Sequence, residues 1–205
     1  MDAREQIAEY GRRLAADGLV VGTSGNLSAR VGGEIAITPS AVPYDELTPE
    51  LVALVAVDGA RVEGDPSREL PLHLAVYRAT DAGAVVHTHS PWATALGCVT
   101  DELPAAHYLI AELGGPVRVA PYATPGSDEL AETLLDALAG RSAALLAAHG
   151  AVAVGATLAK AYARAVLLEW LCALYARARV LGEPRLIDDG ELDRLADLVR
   201  TYGRR

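Results

Sequence analysis

The chain has 205 residues, a length that fits one domain spanning 1–205, and 51% of them are hydrophobic, enough for a substantial core. Phenylalanine is absent, so Leu, Val and Ala must fill that core with help from eight Tyr and two Trp. A formal net charge of −9 argues against nucleic acid as a partner, because phosphate backbones attract basic surfaces, yet it leaves a small anionic ligand open.

Residues 3–17 place Ile7, Tyr10 and Leu14 at helical spacing, and Gly18 follows as a stop. This N-terminal segment, MDAREQIAEYGRRL, is charged and has no signal-peptide core. The short β-rich runs 34–38 and 51–57 read as strands, with Asp58-Gly59 as a turn after them. Residues 70–80 read as a helix, 84–89 (AVVHTH) as a strand, and PWATALGCV as a helix opened by Pro91. VRVA at 117–120 follows as a strand; Ser127 then caps a helix that runs through Leu138 and is ended by Gly140. The runs 143–149 and 151–155 are strand-like, a long helix covers about 158–180, and a last one about 191–200. Interspersed strands and helices make the class α/β, one sheet flanked by helices. The run 143-AALLAA-148 is far too short to span a bilayer, and the chain reads as soluble and cytoplasmic, without a membrane partner. Cys98 and Cys172 each sit in apolar surroundings and read as two buried free thiols.

The stretch 86-VHTHSPWAT-94 carries the clearest chemistry. On a strand, residues i and i+2 share a face, so His87 and His89 present two imidazoles side by side. His149 closes another strand-like run beside Gly150, a residue that lets a further group approach. Three imidazoles at strand ends would give a facial ligand set with an open metal position, the mark of catalytic zinc. An isolated H-x-H is a weak signal, and spacing alone does not bring His149 to the pair. His73, inside the 70–80 helix, reads as a core or helix-face residue, and His107 as a loop or strand-end residue without a task.

Glu69 opens the 70–80 helix. Its ordinary reading is a carboxylate complementing the helix dipole; the alternative is a general base beside a metal. Two loops, 22-GTSGNLSA-29 and 38-TPSAVPY-44, offer backbone N–H groups and small hydroxyls suited to an anion, although either could be an ordinary turn. Ser67 and Arg68 would add a hydroxyl and a guanidinium.

In order along the chain, GTSGNLSAR, ITPSAVPYDELT, DPSRELPLHLAVYRA, AVVHTHSPWATAL, PAAHYLIAELGG, APYATPGSDEL, LLAAHGAVAVG and the terminal TYG resemble the class II, zinc-dependent sugar-phosphate aldolases of the aldolase/adducin family, most closely the branch acting on L-fuculose 1-phosphate. The resemblance implies a three-layer α/β/α fold with a central mixed or largely antiparallel sheet. It also implies a homotetramer with sites between subunits. It makes His87, His89 and His149 ligands of one Zn2+ per chain, which another divalent metal could replace. Glu69 becomes the acid/base carboxylate and a further metal contact. Gly25 and Asn26 match a substrate- and phosphate-contacting loop, and Ser40 and Ser67 match hydroxyl contacts to phosphate. Tyr108 resembles a tyrosine that reaches a neighbouring subunit's site, and Tyr202 one in a C-terminal tail that covers the site. The implied reaction is reversible cleavage of a ketose 1-phosphate to dihydroxyacetone phosphate and an aldehyde, through an enediolate that zinc stabilises. Ala41 stands where these aldolases commonly have glycine, Arg68 where they have a second serine, and Pro125 where an aromatic is expected near the aldehyde pocket. Rival readings within the family are a ribulose-phosphate 4-epimerase, which usually carries aspartate at the Glu69 position, a methylthioribulose-phosphate dehydratase and a sugar-acid decarboxylase. An adducin-like binding module would lack the intact histidine set.

Overall fold

The computed structural model describes residues 2–202, with side chains as far as Val199. Helix α1 (Ala3–Ala16) opens on a capping box between Asp2 and Glu5 and buries Ile7, Ala8, Gly11 and Leu14. Strands β1 (Asn26–Val31), β2 (Glu34–Ile37), β3 (Ala53–Ala56) and β4 (Val62–Glu63) follow, with a 3-10 turn at Pro49–Leu51. Then come α2 (Leu70–Ala79), β5 (Ala84–Thr88), α3 (Pro91–Gly97), β6 (Glu102–Leu103), a 3-10 helix (Tyr108–Leu113) and β7 (Val117–Ala120). Helix α4 (Asp128–Leu138), β8 (Ala143–Leu146), β9 (Gly150–Gly155), α5 (Leu158–Leu181) and α6 (Asp189–Tyr202) complete the order.

The nine strands form one sheet in the order β4-β3-β2-β1-β5-β9-β8-β7-β6. Every neighbouring pair is antiparallel except β7–β8, so the sheet is mixed and largely antiparallel, as the resemblance implied. Side chains from α1, α3 and α5 pack with Leu27, Ala84, Val86 and Ala153 on one face. Side chains from α2 and α4 pack with Ile35, Ile37, Val85 and Val152 on the other. Two covered faces explain why every residue of β5 is buried.

The sheet register positions the site. Asn26 pairs with His87 and Ser28 with Val85. Across β5 on the other side, His87 pairs with Val152. Directly paired residues point to the same face, so Asn26, Ser28 and His87 all face α2.

Several boundaries differ from the sequence reading. The loop 22–29 ends at Gly25, and Asn26 begins β1. Its buried face carries Asn26 and Ser28, and polar residues there conceal a strand. Strand β5 stops at Thr88, with His89 just past it. His149 does not close a strand: β8 ends at Leu146, and His149 lies in the tight turn before β9. Ala148 in that turn has φ 51°, a left-handed conformation that reverses the chain within three residues. Cys172 is a buried free thiol as expected, but Cys98 is exposed, because it caps the C-terminus of the short helix α3.

Candidate metal centre

Glu69 sits at the N-cap of α2, and its side chain makes no capping hydrogen bond. The carboxylate does not cap the helix and is turned towards the histidines. Glu69 Oε2 is 3.0 Å from His87 Nε2, and Oε1 is 3.2 Å from His149 Nε2. His87 Nε2 and His89 Nε2 are 3.0 Å apart. The three imidazole rings stand 4.8–4.9 Å from one another, centre to centre. One donor atom from each of Glu69, His87, His89 and His149 lies within 4.8 Å of all the others.

This donor set suits a divalent metal. His87 Nδ1 lies 3.0 Å from the Ala151 carbonyl, which can only accept, so Nδ1 carries the proton and Nε2 offers its lone pair to the cluster. Glu69 Oε1 is buried without a hydrogen-bond partner despite its closeness to His149, as expected of an atom aimed at a cation rather than a donor. Burial would raise the Glu69 pKa, but electrostatic interaction with His87 and contacts with His149, His87 and Asn26 hold the carboxyl well below the usual range. A cation between these groups acts in the same direction. Burial, then electrostatic interaction with the neighbouring His87 and His149 rings, lowers the His89 pKa from 6.5 to about 4, which favours a neutral ring able to ligate.

Backbone architecture supports the approach of the three rings. A Cβ on Gly150 would lie 2.1 Å from the Thr88 carbonyl oxygen and 3.3 Å from His89 Cδ2, so only glycine lets these segments meet. Gly25 has φ 72°, and a Cβ there would lie 2.8 Å from the His87 carbonyl oxygen. Tyr44 Oη holds the same loop, 2.8 Å from the Gly25 carbonyl oxygen. Thr38 ties the second loop in: its Oγ1 accepts from Leu27 N–H, and its carbonyl accepts from Ser67 N–H.

Beside the metal donors lies a pocket of about 340 Å³. Gly25, Asn26, Ser40, Ala41, Ser67 and Arg68 all line it, together with Glu69, His89, His149 and Pro125. The residues assigned to phosphate by resemblance therefore do share one cavity with the metal donors. Arg68 is exposed, and no ion pair among the described residues engages it. Tyr108 does not join this cavity. It is 55% exposed and lines a separate cavity with Leu109, Glu112, Lys160 and residues of α6. Tyr202 ends α6, and its side chain lies outside the described residues.

Sequence reasoning missed the support behind Glu69. His73 is fully buried, and burial, then electrostatic interaction with His87, lowers its pKa to about 3. It is a core residue, but one joined to Ser28 and Asn26 by hydrogen bonds. The available signal was spacing: His73 is four residues after Glu69, one turn along the same helix, and Asn26 and Ser28 are two apart on a strand. His107, left without a task, caps the following 3-10 helix by accepting from Leu109 N–H.

Comparison with known proteins agrees with this geometry. The family model "Class II Aldolase and Adducin N-terminal domain" matches residues 5–176. The chain is 40% identical to the 5-deoxy-D-ribulose 1-phosphate aldolase of Bacillus thuringiensis serovar kurstaki, covering 98% of this chain and 96% of that one. It is 38% identical to the L-fuculose phosphate aldolase of Escherichia coli K12, covering 92% and 89%. A solved L-fuculose 1-phosphate aldolase superposes with a TM-score of 0.94 at 37% identity, covering 97% and 96%. With a matched family model and relatives across nearly its whole length, this chain belongs to the class II aldolase and adducin family and is an aldolase.

Proposed function

We propose that the chain is a zinc aldolase that cleaves a 5-deoxypentulose 1-phosphate to dihydroxyacetone phosphate and acetaldehyde. The observation that carries the metal assignment is the convergence of three imidazoles and one carboxylate within 4.8 Å. His87, His89 and His149 would hold the ion, with Glu69 as a fourth ligand until substrate enters. When bound, zinc supplies a Lewis acid beside the pocket.

The remaining work falls to the chain. The loop residues Gly25, Asn26, Ser40 and Ser67 present amides and hydroxyls to the phosphate, and Arg68 adds a guanidinium at the rim. Ala41 also lines this pocket, where its methyl adds no polar contact. Glu69 handles the proton at C3: in cleavage the C3–C4 electrons pass to C3, which takes a proton that the carboxylate has first picked up from water once substrate displaces it, while C4 becomes the aldehyde. In condensation the carboxylate removes that proton again. The hydroxyl proton lost from C4 needs a second group. Tyr108 of a neighbouring copy is our assignment for it, with Tyr202 closing the site. This arrangement requires the tetramer that the resemblance implies. It also explains why an exposed Tyr108 lines no part of its own chain's pocket.

The substrate choice rests on relatives such as the B. thuringiensis enzyme and the 5-methylthioribulose-1-phosphate/5-deoxyribulose-1-phosphate aldolase of Rhodospirillum rubrum, which is 38% identical and covers 98% of this chain. L-Fuculose 1-phosphate is the second reading, favoured by the 0.94 structural match. We place the protein in the cytoplasm; no helix among its described residues is long and apolar enough to cross a membrane. The test is release of dihydroxyacetone phosphate by zinc-loaded protein from 5-deoxyribulose 1-phosphate, 5-methylthioribulose 1-phosphate and L-fuculose 1-phosphate. A higher kcat/KM for the first supports the proposal, and a higher value for L-fuculose 1-phosphate replaces it with the second reading. Full activity in protein shown to be metal-free would end the zinc assignment.

A further inference from the structure

Behind Glu69 runs an unbroken line of buried polar contacts. Tyr77 Oη is 2.8 Å from Ser28 Oγ, and Ser28 Oγ is 2.6 Å from His73 Nδ1. His73 Nε2 is 2.5 Å from Asn26 Oδ1, and Asn26 Nδ2 is 2.8 Å from Glu69 Oε2. Ser28 and His73 are 0% exposed, and Asn26 and Tyr77 are 3% exposed, so water does not complete their hydrogen bonding. The far end is anchored, because Arg30 stacks over the Tyr77 ring and donates to the Tyr77 carbonyl. We propose that His73 is a positioning residue: as the neutral Nε2–H tautomer it gives this line one direction, and so fixes which end of the Asn26 amide faces Glu69.

The line has two self-consistent directions. In one, Tyr77 donates to Ser28, Ser28 donates to His73 Nδ1, His73 Nε2–H donates to Asn26 Oδ1, and Asn26 Nδ2–H donates to Glu69. In the other, His73 donates from Nδ1 to Ser28 and accepts at Nε2 from the Asn26 amide nitrogen. Asn26 Oδ1 would then face Glu69 Oε2, an acceptor against an acceptor at hydrogen-bond range. The first direction is the one present: Asn26 Nδ2 lies 2.8 Å from Glu69 Oε2, and Asn26 Oδ1 faces His73 Nε2. An amide is nearly symmetric in shape, so nothing about Asn26 itself selects its orientation. The imidazole, whose two nitrogens have opposite roles in any neutral tautomer, holds the amide in this orientation through Nε2–H. With the first direction set, Asn26 steadies the charged carboxylate with one N–H and keeps a second for the occupant of the pocket. The deep imidazole thus controls the carboxylate without touching substrate.

The catalytic consequence rests on the reading of Glu69 as the group that handles the C3 proton; the tautomer does not. The experiment therefore has two arms on the full-length, zinc-loaded protein. In the first, histidine is labelled with nitrogen-15, and the ring nitrogens are observed at neutral pH, with His73 assigned by its loss in His73→Gln. A protonated Nε2 with a bare Nδ1 is expected, and the reverse pattern overturns the proposal. In the second arm, His73→Leu is compared with His73→Gln, whose amide nitrogen can still donate to Asn26. The Leu variant should lose roughly 10–100-fold in kcat, the usual cost of removing a group that orients an active-site ligand, with KM and bound zinc little changed. The Gln variant should recover most of that loss, although both lose a packed imidazole. Equal kcat in the two variants, whether both low or both normal, overturns the positioning role. If the wild type cleaves no ketose 1-phosphate, the reading of the reaction fails. Slow hydrogen exchange at the Asn26 side-chain amide in wild type and Gln, and fast exchange in Leu, then upholds the proposal, and equal rates reject it. If the Leu variant does not fold, the tautomer in the wild type decides.

Discussion

Substituting Gly150 tests whether the metal centre depends on how closely β5 and the turn at its end approach β9. A methyl on this residue would lie 2.1 Å from the Thr88 carbonyl oxygen. Carbon–oxygen contacts across a sheet settle at roughly 3.3 Å or more, so the strands must part by about 1 Å. That carbonyl belongs to the residue between His87 and His89, and Gly150 follows His149, so the displacement separates the ligands directly. Metal sites tolerate about 0.2 Å. Gly150→Ala should therefore weaken zinc binding by roughly tenfold or more. Overpacking costs about 1–3 kcal/mol, offset by about 0.5–1 kcal/mol for the freedom an alanine backbone lacks when unfolded. The net loss of about 1–2 kcal/mol corresponds to a fall in Tm of roughly 2–8 °C for a chain of this size. Gly33→Ala is the control, because a Cβ there meets nothing within 4 Å and its φ is not positive. Competition against a chromogenic chelator and thermal unfolding give the two readouts. A Gly150→Ala protein that matches Gly33→Ala in both would refute the claim that close backbone approach builds the site.

Other perturbations separate the roles within the site. Ala41 has φ 55°, so Ala41→Gly should relieve left-handed strain and stabilise the protein by about 0.5–1 kcal/mol in urea unfolding, after allowing for the freer unfolded chain. His87→Ala should lose both zinc and activity, whereas Glu69→Gln should keep zinc and lose turnover; identical metal contents in the two would show that the roles are not divided this way. Arg68→Ala should raise KM more than it lowers kcat, by about 1.5–3 kcal/mol of binding, as expected for a hydrogen bond to a charged group. His89 has its pKa lowered from 6.5 to about 4 when folded, so the unfolded chain takes up a proton that the folded ring refuses. After chelation, stability should be complete above about 6.5 and fall as the pH drops towards about 4, read as a lower urea midpoint at pH 5 than at pH 7.

Periodicity revealed the elements that bury one clean stripe or run, namely α1, α4, α5, β5, β7 and the β8–β9 region. It concealed β1, whose α2-facing side carries Asn26 and Ser28 instead of apolar side chains. Those two residues look like loop residues because their partners, His73 and Tyr77, lie 45–49 positions away. The i, i+2 spacing of His87 and His89 was readable because both come from one segment. His149 needed the antiparallel pairing of β5 with β9 to reach them, and no local spacing encodes a pairing across more than 60 residues. Glu69 was ambiguous for a related reason. A carboxylate in a first helical turn has a good local explanation, and only the absent capping bond together with the two contacts to His87 and His149 removes it.

These origins divide the site into two parts that answer differently to substitution. The metal donors and Asn26 are tied to β1, β5, β9 and the first turn of α2, where cross-strand register fixes positions and a one-residue slip would turn a ligand to the opposite face. The pocket residues Ser40, Ala41, Ser67 and Arg68 come from connecting segments, which Thr38 and the bridge between Pro39 and Pro66 tie to the sheet, while Ser67 accepts at Oγ from Glu69 N–H and at its carbonyl from Leu70 N–H. Ala41, Arg68 and Pro125, where this chain departs from the pattern it resembles, all fall in the second part and line the pocket. Changes there can alter which phosphate and aldehyde fit while the carboxylate and the imidazoles keep their geometry. Such a division suits a family whose relatives are named for 5-deoxy-D-ribulose 1-phosphate and for L-fuculose phosphate.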